Sequence, residues 1–335
     1  MQATSHEASR ARFPAIDAHN HLGRWLTPDR DWSAPDVGAL LADMERCNIA
    51  VIVNLDGMWG DELQANLDRY DHAHPGRFAT FAHLDWRELA EPGWPERLAA
   101  GLRDAAEAGA KGLKVWKALG LALRDEYDTW LMPDDERLAP VWETAGELGL
   151  PIVIHVADPV AFFEPLGPEN ERLEELLAHP EWSFADARFP RFDRLMEALE
   201  AIVARHPSTT FIGAHVGCNA EDLVWVGRML STYGNFHVDI AARIAELGRQ
   251  PRATRRLIES HPGRVLFGMD LFPPDPAEYA IHFRFLETAD ESFPYSSQDP
   301  PPEGRWTISG LDLPDDALRA IYADNARRLI LGLGV

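Results

Sequence analysis

Five residues with metal-ligating side chains stand at the ends of four apolar runs in this sequence. They are His19, His21, His155, His215 and Asp270. Imidazole nitrogens together with a carboxylate suit zinc, while manganese and iron also accept such ligands. A divalent cation with three or four protein ligands keeps a position for water and lowers the pKa of that water to about 7. These residue types therefore indicate chemistry by activated water.

These residues can act together only if strands bring them to one place. His19 and His21 are two residues apart, so in a strand both side chains point to the same face. Eight short apolar runs rich in β-branched residues are typical of strands, and they cover residues 15–21, 50–55, 78–85, 111–117, 152–156, 210–215, 236–241 and 265–270. Amphipathic patterns and end signals predict helices at residues 34–47, 94–108, 138–148, 192–205 and 314–331.

This alternation predicts an α/β fold, specifically a (β/α)8 TIM barrel, whose active site lies at the C-terminal ends of its strands. Five polar groups buried there without partners would be costly, and a shared cation satisfies them. No G-x-G-x-x-G loop follows the first strand, which argues against dinucleotide binding. Long insertions are expected after strands 5 and 8, at residues 157–190 and 271–313. They are interpreted as lid or specificity elements, or as oligomer contacts.

The composition of the 335-residue chain is that of a globular protein, with 46% hydrophobic residues. We expect a flexible N-terminus over residues 1–12 and a single barrel domain over residues 13–335. The formal charge of −22 argues against binding to nucleic acid or to a membrane surface. Two cysteines and no signal-peptide or membrane-helix pattern favour a cytoplasmic protein. A homodimer is compatible with the sequence, because dimers are the commonest closed assemblies.

The order of the metal-ligating motifs resembles that of the amidohydrolase superfamily. The resemblance is greatest to its amidohydrolase-related (amidohydrolase 2) group, which includes enzymes similar to aminocarboxymuconate-semialdehyde decarboxylase. It begins at Ile16-Asp17-Ala18-His19-Asn20-His21 and ends at Asp324-Asn325-Ala326-Arg327-Arg328-Leu329. Gly213-Ala214-His215-Val216-Gly217 and Leu266-Phe267-Gly268-Met269-Asp270 also match. As a set these motifs are specific for superfamily and fold, but not for substrate.

The resemblance implies roles for the five residues. His19, His21, His155 and Asp270 would bind one divalent metal ion, for which zinc is favoured over manganese or iron. His215 would orient or deprotonate water, or polarise the substrate. Asp270 would also shuttle a proton, because a carboxylate beside both metal and water can accept a proton and return it. His215 and Asp270 are therefore the expected catalytic residues.

Lys114, on the predicted fourth strand, leaves several interpretations open. Alternation places it on one face of the strand with Trp116. Some members of the superfamily that this chain resembles carry a carboxylated lysine there that bridges two metal ions. A second metal is therefore expected only if Lys114 is carboxylated. Otherwise Lys114 is a cation that holds a substrate carboxylate, the reading we favour, or one that pairs with Asp17 or Asp239.

Trp116, on the same face as Lys114, is a further candidate substrate contact, and so are four residues just beyond strand ends. Arg24 and Trp25 form an arginine–aromatic pair suited to a planar or anionic substrate. Asp158 and Arg243 follow the fifth and seventh strands. Each of the four has the alternative role of a structural ion-pairing or packing residue.

The leading function is that of a metal-dependent hydrolase that cleaves an amide, a lactone or a related bond of a small molecule with metal-activated water. The alternative is a metal-dependent lyase that decarboxylates an aromatic or unsaturated carboxylic acid without oxidation. A second cation in the pocket discriminates between them, and Lys114, Arg24 and Arg243 are the candidates. A metal-free barrel that only binds ligands is disfavoured, because no ligand position is replaced.

Overall fold

Eight parallel strands form the centre of the molecule. The computed structural model describes residue 6 and residues 8–125, 127–330 and 332–333. The strands are β1 (Ala15–Asn20), β2 (Ile49–Asn54), β3 (Phe78–Thr80), β4 (Leu113–Val115), β5 (Ile152–Ile154), β6 (Phe211–Gly213), β7 (Phe236–Asp239) and β8 (Val265–Leu266). Each overlaps one of the eight runs predicted from the sequence. All of them end before the predicted last residue, and His21, His155, His215 and Asp270 lie in the segments that follow.

Hydrogen bonds close these strands into a barrel. β1 to β3 pair in chain order, as do β4 to β8, and all pairs are parallel. At the seam between β3 and β4, the Lys114 N–H donates to the Ala82 carbonyl over 2.8 Å. At the seam between β8 and β1, the Ala18 N–H donates to the Phe267 carbonyl over 2.9 Å. The predicted (β/α)8 TIM barrel is therefore confirmed.

Helices surround the barrel. They are α1 (Val37–Cys47), α2 (Gly60–Leu67), α3 (Trp94–Ala108), α4 (Ala139–Leu148), α5 (Leu173–Ala178), α6 (Phe192–Arg205), α7 (Leu223–Thr232), α8 (Pro251–Ser260), α9 (Pro276–Glu287), α10 (Asp315–Arg319) and α11 (Asn325–Leu329). α3 and α6 have the bounds that the sequence predicts, and α3 ends at Gly109, whose left-handed conformation stops the helix. No helix in the described part of the chain has both the length and the apolar character that a membrane crossing requires.

The side chains of the strands alternate between the barrel interior and the helices. Val153 and Ile212 pack in one apolar cluster inside the barrel, whereas Leu113 and Ile152 pack in the larger cluster beneath the helices. Lys114 is in register with Val153, which is in register with Ile212. The strand period therefore directs Lys114 into the barrel.

The helix predicted over residues 314–331 is interrupted. α10 and α11 flank a π-helical segment, Ala320–Asp324, and residue 331 lies outside the described residues. Within this segment the Ile321 carbonyl accepts a hydrogen bond from the Phe267 N–H over 2.9 Å. Because this carbonyl bonds to the end of β8, the widened turn ties the C-terminal helices to the barrel.

The chain between residues 271 and 313 is more regular than the sequence analysis expected. It contains α9, whose Tyr279, Phe283 and Phe285 are buried. α9 packs against the barrel, and the ring of Phe267 stacks on that of Phe283. The parts of this segment without helix are residues 271–275 and 288–313. After β5, residues 155–191 contain α5 and the short 3₁₀ turns Val160–Phe163 and Pro180–Trp182.

Part of the predicted flexible N-terminus is attached to the barrel. Residues 1–5 and 7 lie outside the described residues. Ala11 is buried, and its N–H donates to the Cys47 carbonyl over 3.1 Å. Arg12 pairs with Asp315 over 3.0 Å. Backbone and ionic bonds therefore attach Ala11 and Arg12 to the rest of the protein, and the flexibility of residues 1–12 stays a prediction.

Candidate metal centre and adjoining cavity

Three imidazoles surround the carboxylate of Asp270 inside the barrel mouth. The Nε2 atom of His21 lies 3.0 Å from Oδ1, and the Nε2 atom of His19 lies 3.7 Å from the same oxygen. The Nε2 atom of His215 lies 3.7 Å from Oδ2. One donor atom from each of His19, His215 and Asp270 lies within 4.8 Å of the other two. These distances are short enough for one ion to bind several of these atoms.

The opposite nitrogen of each imidazole, Nδ1, is held by an acceptor. These bonds join His19 to Asp239 Oδ2 (2.8 Å), His21 to Asp56 Oδ1 (2.6 Å) and His215 to the Ala241 carbonyl (2.9 Å). An acceptor behind Nδ1 places a proton there, so Nε2 is the nitrogen of each ring that faces the site. Metal-ligating histidines almost always have such partners. The donor set therefore fits a divalent cation.

The backbone between β8 and Asp270 passes unusually close to β1. A Cβ on Gly268 would lie 2.8 Å from the His19 Cβ, so only glycine fits there. The Asp270 N–H donates to the His19 carbonyl over 2.7 Å. His215, Val216 and Asp270 all have φ near +60°, which is rare for a β-branched residue such as Val216. Strained backbone of this kind is concentrated at functional sites.

Burial and neighbouring charges set the protonation of the cluster. Burial lowers the pKa of His19 and His215 well below the usual range, and nearby cationic groups add to the effect. Burial also lowers the pKa of His21, but the carboxylates of Asp56 and Asp270 outweigh it and raise the value to about 9. Burial by itself raises the pKa of Asp270, but the neighbouring imidazoles outweigh burial and hold that pKa well below its usual range. At neutral pH His19 and His215 are neutral and Asp270 is ionised, as metal ligands must be, whereas His21 is protonated and has to release its Nε2 proton before it can bind a cation.

His155 lies beside this cluster. It is buried, and neither ring nitrogen has a hydrogen-bond partner among the described residues. Its ring centroid is 4.5 Å from that of His215, and its Nε2 atom is 3.4 Å from Asp158 Oδ1. A buried imidazole without partners calls for a ligand that satisfies it. The structure thus places His215 in the tightest group of donors and His155 next to it.

Lys114 points into the barrel and is buried against the cluster. Its Nζ atom lies 3.2 Å from His19 Nε2 and 5.8 Å from the centre of the Trp116 ring. Neither Asp17 nor Asp239 forms an ion pair with Lys114 in the part of the chain that the structure describes, so that expected pairing is wrong. Asp17 instead accepts hydrogen bonds from Tyr279 and other groups, and Asp239 holds His19. Burial lowers the pKa of Lys114.

The polar groups of Arg24 and Trp25 are bonded within the protein. Arg24 donates to Glu62 from both Nε and Nη2, the Nε bond measuring 3.0 Å. The Trp25 indole N–H donates to Asp56 Oδ1 over 2.6 Å, and its ring packs on Trp116. Both residues therefore brace β1 against its neighbours. Contact of either residue with substrate stays a prediction.

A cavity of about 410 Å³ adjoins the cluster. His155, His215 and Asp270 line it. Aromatic side chains form much of the rest of the wall, namely Trp116, Phe162, Trp182, Phe184 and Phe272. Its charged lining residues include Lys117, Asp158, Arg172, Glu175, Arg243 and Glu303. Both long segments that the sequence analysis singled out therefore contribute to the wall, and a volume of this size fits a small molecule.

Asp56 and most of the cavity wall were missed by the sequence analysis. Asp56 comes two residues after the end of β2, and His155 comes directly after β5. A polar residue shortly after an apolar strand was therefore the signal that could have identified Asp56. Asp239, considered only as a partner of Lys114, ends β7 in the same way. Trp182 and Glu303 carry no local signal, because they reach the cavity through the path of long segments.

A family model described as amidohydrolase (Amidohydro_2) matches residues 16–331. The chain belongs to this amidohydrolase family. No curated protein sequence matches it at a significant level. The family assignment accounts for the barrel and for the ring of histidines and aspartate at the ends of its strands.

Solved structures of the same fold include two decarboxylases. One is 2,6-dihydroxybenzoate decarboxylase from Rhizobium, with 16% identity, a TM-score of 0.61, and coverage of 95% of this chain and 98% of that one. Another is 5-carboxyvanillate decarboxylase LigW from Sphingomonas paucimobilis, with 15% identity, a TM-score of 0.55, and coverage of 95% and 99%. A third is a Burkholderia multivorans amidohydrolase with bound Zn, with 16% identity, a TM-score of 0.50, and coverage of 94% and 98%. At such identities the likeness concerns the fold alone.

Proposed function

We propose that this amidohydrolase-family enzyme is a metal-dependent hydrolase that cleaves an amide, a lactone or a related carbonyl compound. One observation carries the proposal. The Nε2 atoms of His19, His21 and His215 converge on the carboxylate of Asp270, while the Nδ1 atom of each ring is held from behind. A set of nitrogen and carboxylate donors preorganised in this way is suited to a cation and a reactive water.

The residues proposed to hold the cation are His19, His21, His155 and Asp270. Zinc suits these ligands best. A bound cation would supply Lewis-acid chemistry, polarising a carbonyl group and making water more acidic. We propose one cation per chain, with Lys114 as a cationic amine beside His19. A second cation would require that Lys114 be carboxylated.

Asp270 and His215 are the proposed catalytic residues. Asp270 is ionised and lines the cavity, so it can accept the proton of the attacking water and return it to the leaving amine or alcohol. The new bond joins the water oxygen to the carbonyl carbon, and the C–N or C–O bond breaks. His215, with its Nδ1 proton held by Ala241, presents Nε2 to the cavity side of Asp270 and orients the reacting groups.

Decarboxylation of an aromatic acid is the second candidate function. The aromatic wall of the cavity and the guanidinium of Arg243 would accommodate a planar ring with an acidic group. In that reaction the C–C bond to the carboxylate breaks and carbon dioxide leaves, while Asp270 or His215 takes up a proton from solvent and passes it to the ring carbon.

The test is metal analysis joined to activity on two compound sets. We expect about one equivalent of zinc per chain, loss of activity on chelation and recovery on addition of zinc. We expect hydrolysis of members of a panel of lactones and amides, with no release of carbon dioxide from a panel of benzoates. Carbon dioxide release without hydrolysis would establish the second function instead, and full activity without metal would contradict both.

Variants separate the roles within the site. Asp270→Asn should lower kcat by roughly 10²–10⁴-fold while the thermal melting temperature stays close to that of the parent. His155→Ala should lower zinc content, whereas His215→Ala should retain zinc and lose turnover. The reverse outcome for the two histidines would show that His215, not His155, completes the ligand set.

A further inference from the structure

The cations that line the cavity differ in whether a carboxylate already neutralises them. Lys117 Nζ lies 2.5 Å from Asp158 Oδ2. Arg172 is almost fully buried and forms ion pairs with three carboxylates, those of Glu175, Glu246 and Glu303. These two cations are therefore neutralised within the protein.

Arg243 is the exception. It is 8% exposed and lines the cavity with His215 and Asp270. Its Nη1 atom donates to the Ala242 carbonyl over 2.6 Å, but no carboxylate in the described residues forms an ion pair with it. The Ala242 carbonyl is the only acceptor for its N–H groups among the described residues, so an acceptor group of a ligand in the cavity can bind the remaining donors.

The position of Arg172 explains why Arg243 forms no direct ion pair with the acidic groups near it. Glu246 and Glu303 are the acidic groups that most strongly affect the pKa of Arg243, so they lie near it. Both are bonded to Arg172 instead, Glu303 over 2.9 Å. The direct bonds of these two carboxylates therefore go to Arg172, they act on Arg243 only at longer range, and the N–H groups of Arg243 stay available to a ligand.

We propose that Arg243 is a specificity-determining residue that binds a carboxylate group of the substrate, beside but distinct from the reacting group at Asp270. The planar guanidinium matches a carboxylate in two parallel hydrogen bonds, and the aromatic wall packs against the apolar body that carries it. The net charge of −22 would otherwise repel such a substrate. This inference rests on the proposed function only in placing the substrate in the same cavity.

The test compares two probes of the same shape that differ in charge, 2-naphthoate and 2-naphthamide, by isothermal titration calorimetry on the purified protein. Arg243→Met should weaken 2-naphthoate binding by roughly ten- to hundredfold and leave 2-naphthamide binding unchanged. The matched control is Arg252→Met, an exposed arginine on α8, which should change neither affinity. Arg243→Lys keeps the positive charge but lacks the two parallel N–H donors of the guanidinium. Its affinity for 2-naphthoate should therefore lie between those of the parent and Arg243→Met.

Three results would overturn the proposal: an unchanged 2-naphthoate affinity in Arg243→Met, an equal loss for both probes, or no saturable binding of 2-naphthoate to the parent protein. A repeat with metal-stripped protein removes the direct contribution of a cation to carboxylate binding, and the contrast between probes should persist. If the contrast appears but no lactone or amide is hydrolysed, the proposed function fails and this inference stands. If hydrolysis occurs without the contrast, this inference fails alone.

Discussion

Asp56, Asp239 and the Ala241 carbonyl hold three imidazoles at the nitrogen that faces away from Asp270. They contact no reacting atom, yet they decide which nitrogen carries a lone pair and where it points. Such partners raise the basicity of a ligand and fix its orientation. At the scale of single residues, the site therefore depends on side chains one step behind it.

Replacing Asp239 tests this dependence. Asp239→Asn keeps the size of the side chain but weakens the acceptor behind His19, so metal affinity should fall by roughly 10–100-fold. A competitive titration with a chelator of known affinity measures the change. Asp104→Asn, on the exposed side of α3, is the control and should leave the affinity unchanged. Equal affinities for the parent and Asp239→Asn would show that His19 needs no orienting partner.

At the scale of elements, the close approach of β8 to β1 brings Asp270 to the histidines. Gly268 permits this contact because it has no side chain to strike His19. The position of Asp270 therefore follows from the packing of two backbone segments as much as from its own bonds.

A pair of glycine substitutions separates this contact from glycine effects in general. Gly268→Ala should lower the free energy of unfolding by about 1–3 kcal/mol through steric displacement, and should lower activity as well. Gly101→Ala, within α3, has open space around the new methyl group and should stabilise by about 0.5–1 kcal/mol. Denaturant unfolding gives both values. Similar effects of the two changes would contradict the steric argument.

The elements and the cluster could be predicted because their signals are local. An apolar run followed by histidine or aspartate identified the strand ends at His19, His155, His215 and Asp270. α9 was missed because prolines flank it and resemble a loop. The ion pairs of Arg24 with Glu62 and of Arg172 with Glu303 join residues that are far apart in the sequence. No local pattern encodes such contacts.

At the scale of the whole molecule, buried neutral histidines couple stability to pH. His237, on β7, is buried, and its Nδ1 atom has no hydrogen-bond partner among the described residues. Burial, together with the charges of Arg264 and Arg328, lowers its pKa to about 4. Between about pH 6.5 and pH 4, the unfolded chain therefore binds a proton at His237 that the native protein does not bind.

Thermal unfolding as a function of pH checks this coupling. The stability that His237 contributes should be complete above about pH 6.5 and should decline as the pH falls towards 4, because the unfolded state binds the proton first. His237→Gln removes the titration, so its melting temperature should fall less steeply over this range than that of the parent. His72→Gln, at an exposed position, should follow the parent. Parallel curves for all three proteins would exclude His237 as a source of acid sensitivity.

The ion pairs of Arg172 join three stretches of chain that are far apart in sequence. Arg172 belongs to the segment after β5, Glu246 to the one after β7, and Glu303 to residues 288–314. A chimera that imports residues 155–191 from a relative would lose Arg172. Glu246 and Glu303 would then pair with Arg243, and its guanidinium would no longer be available to a ligand. Engineering a new substrate range in this scaffold therefore calls for exchanging all three stretches as one unit.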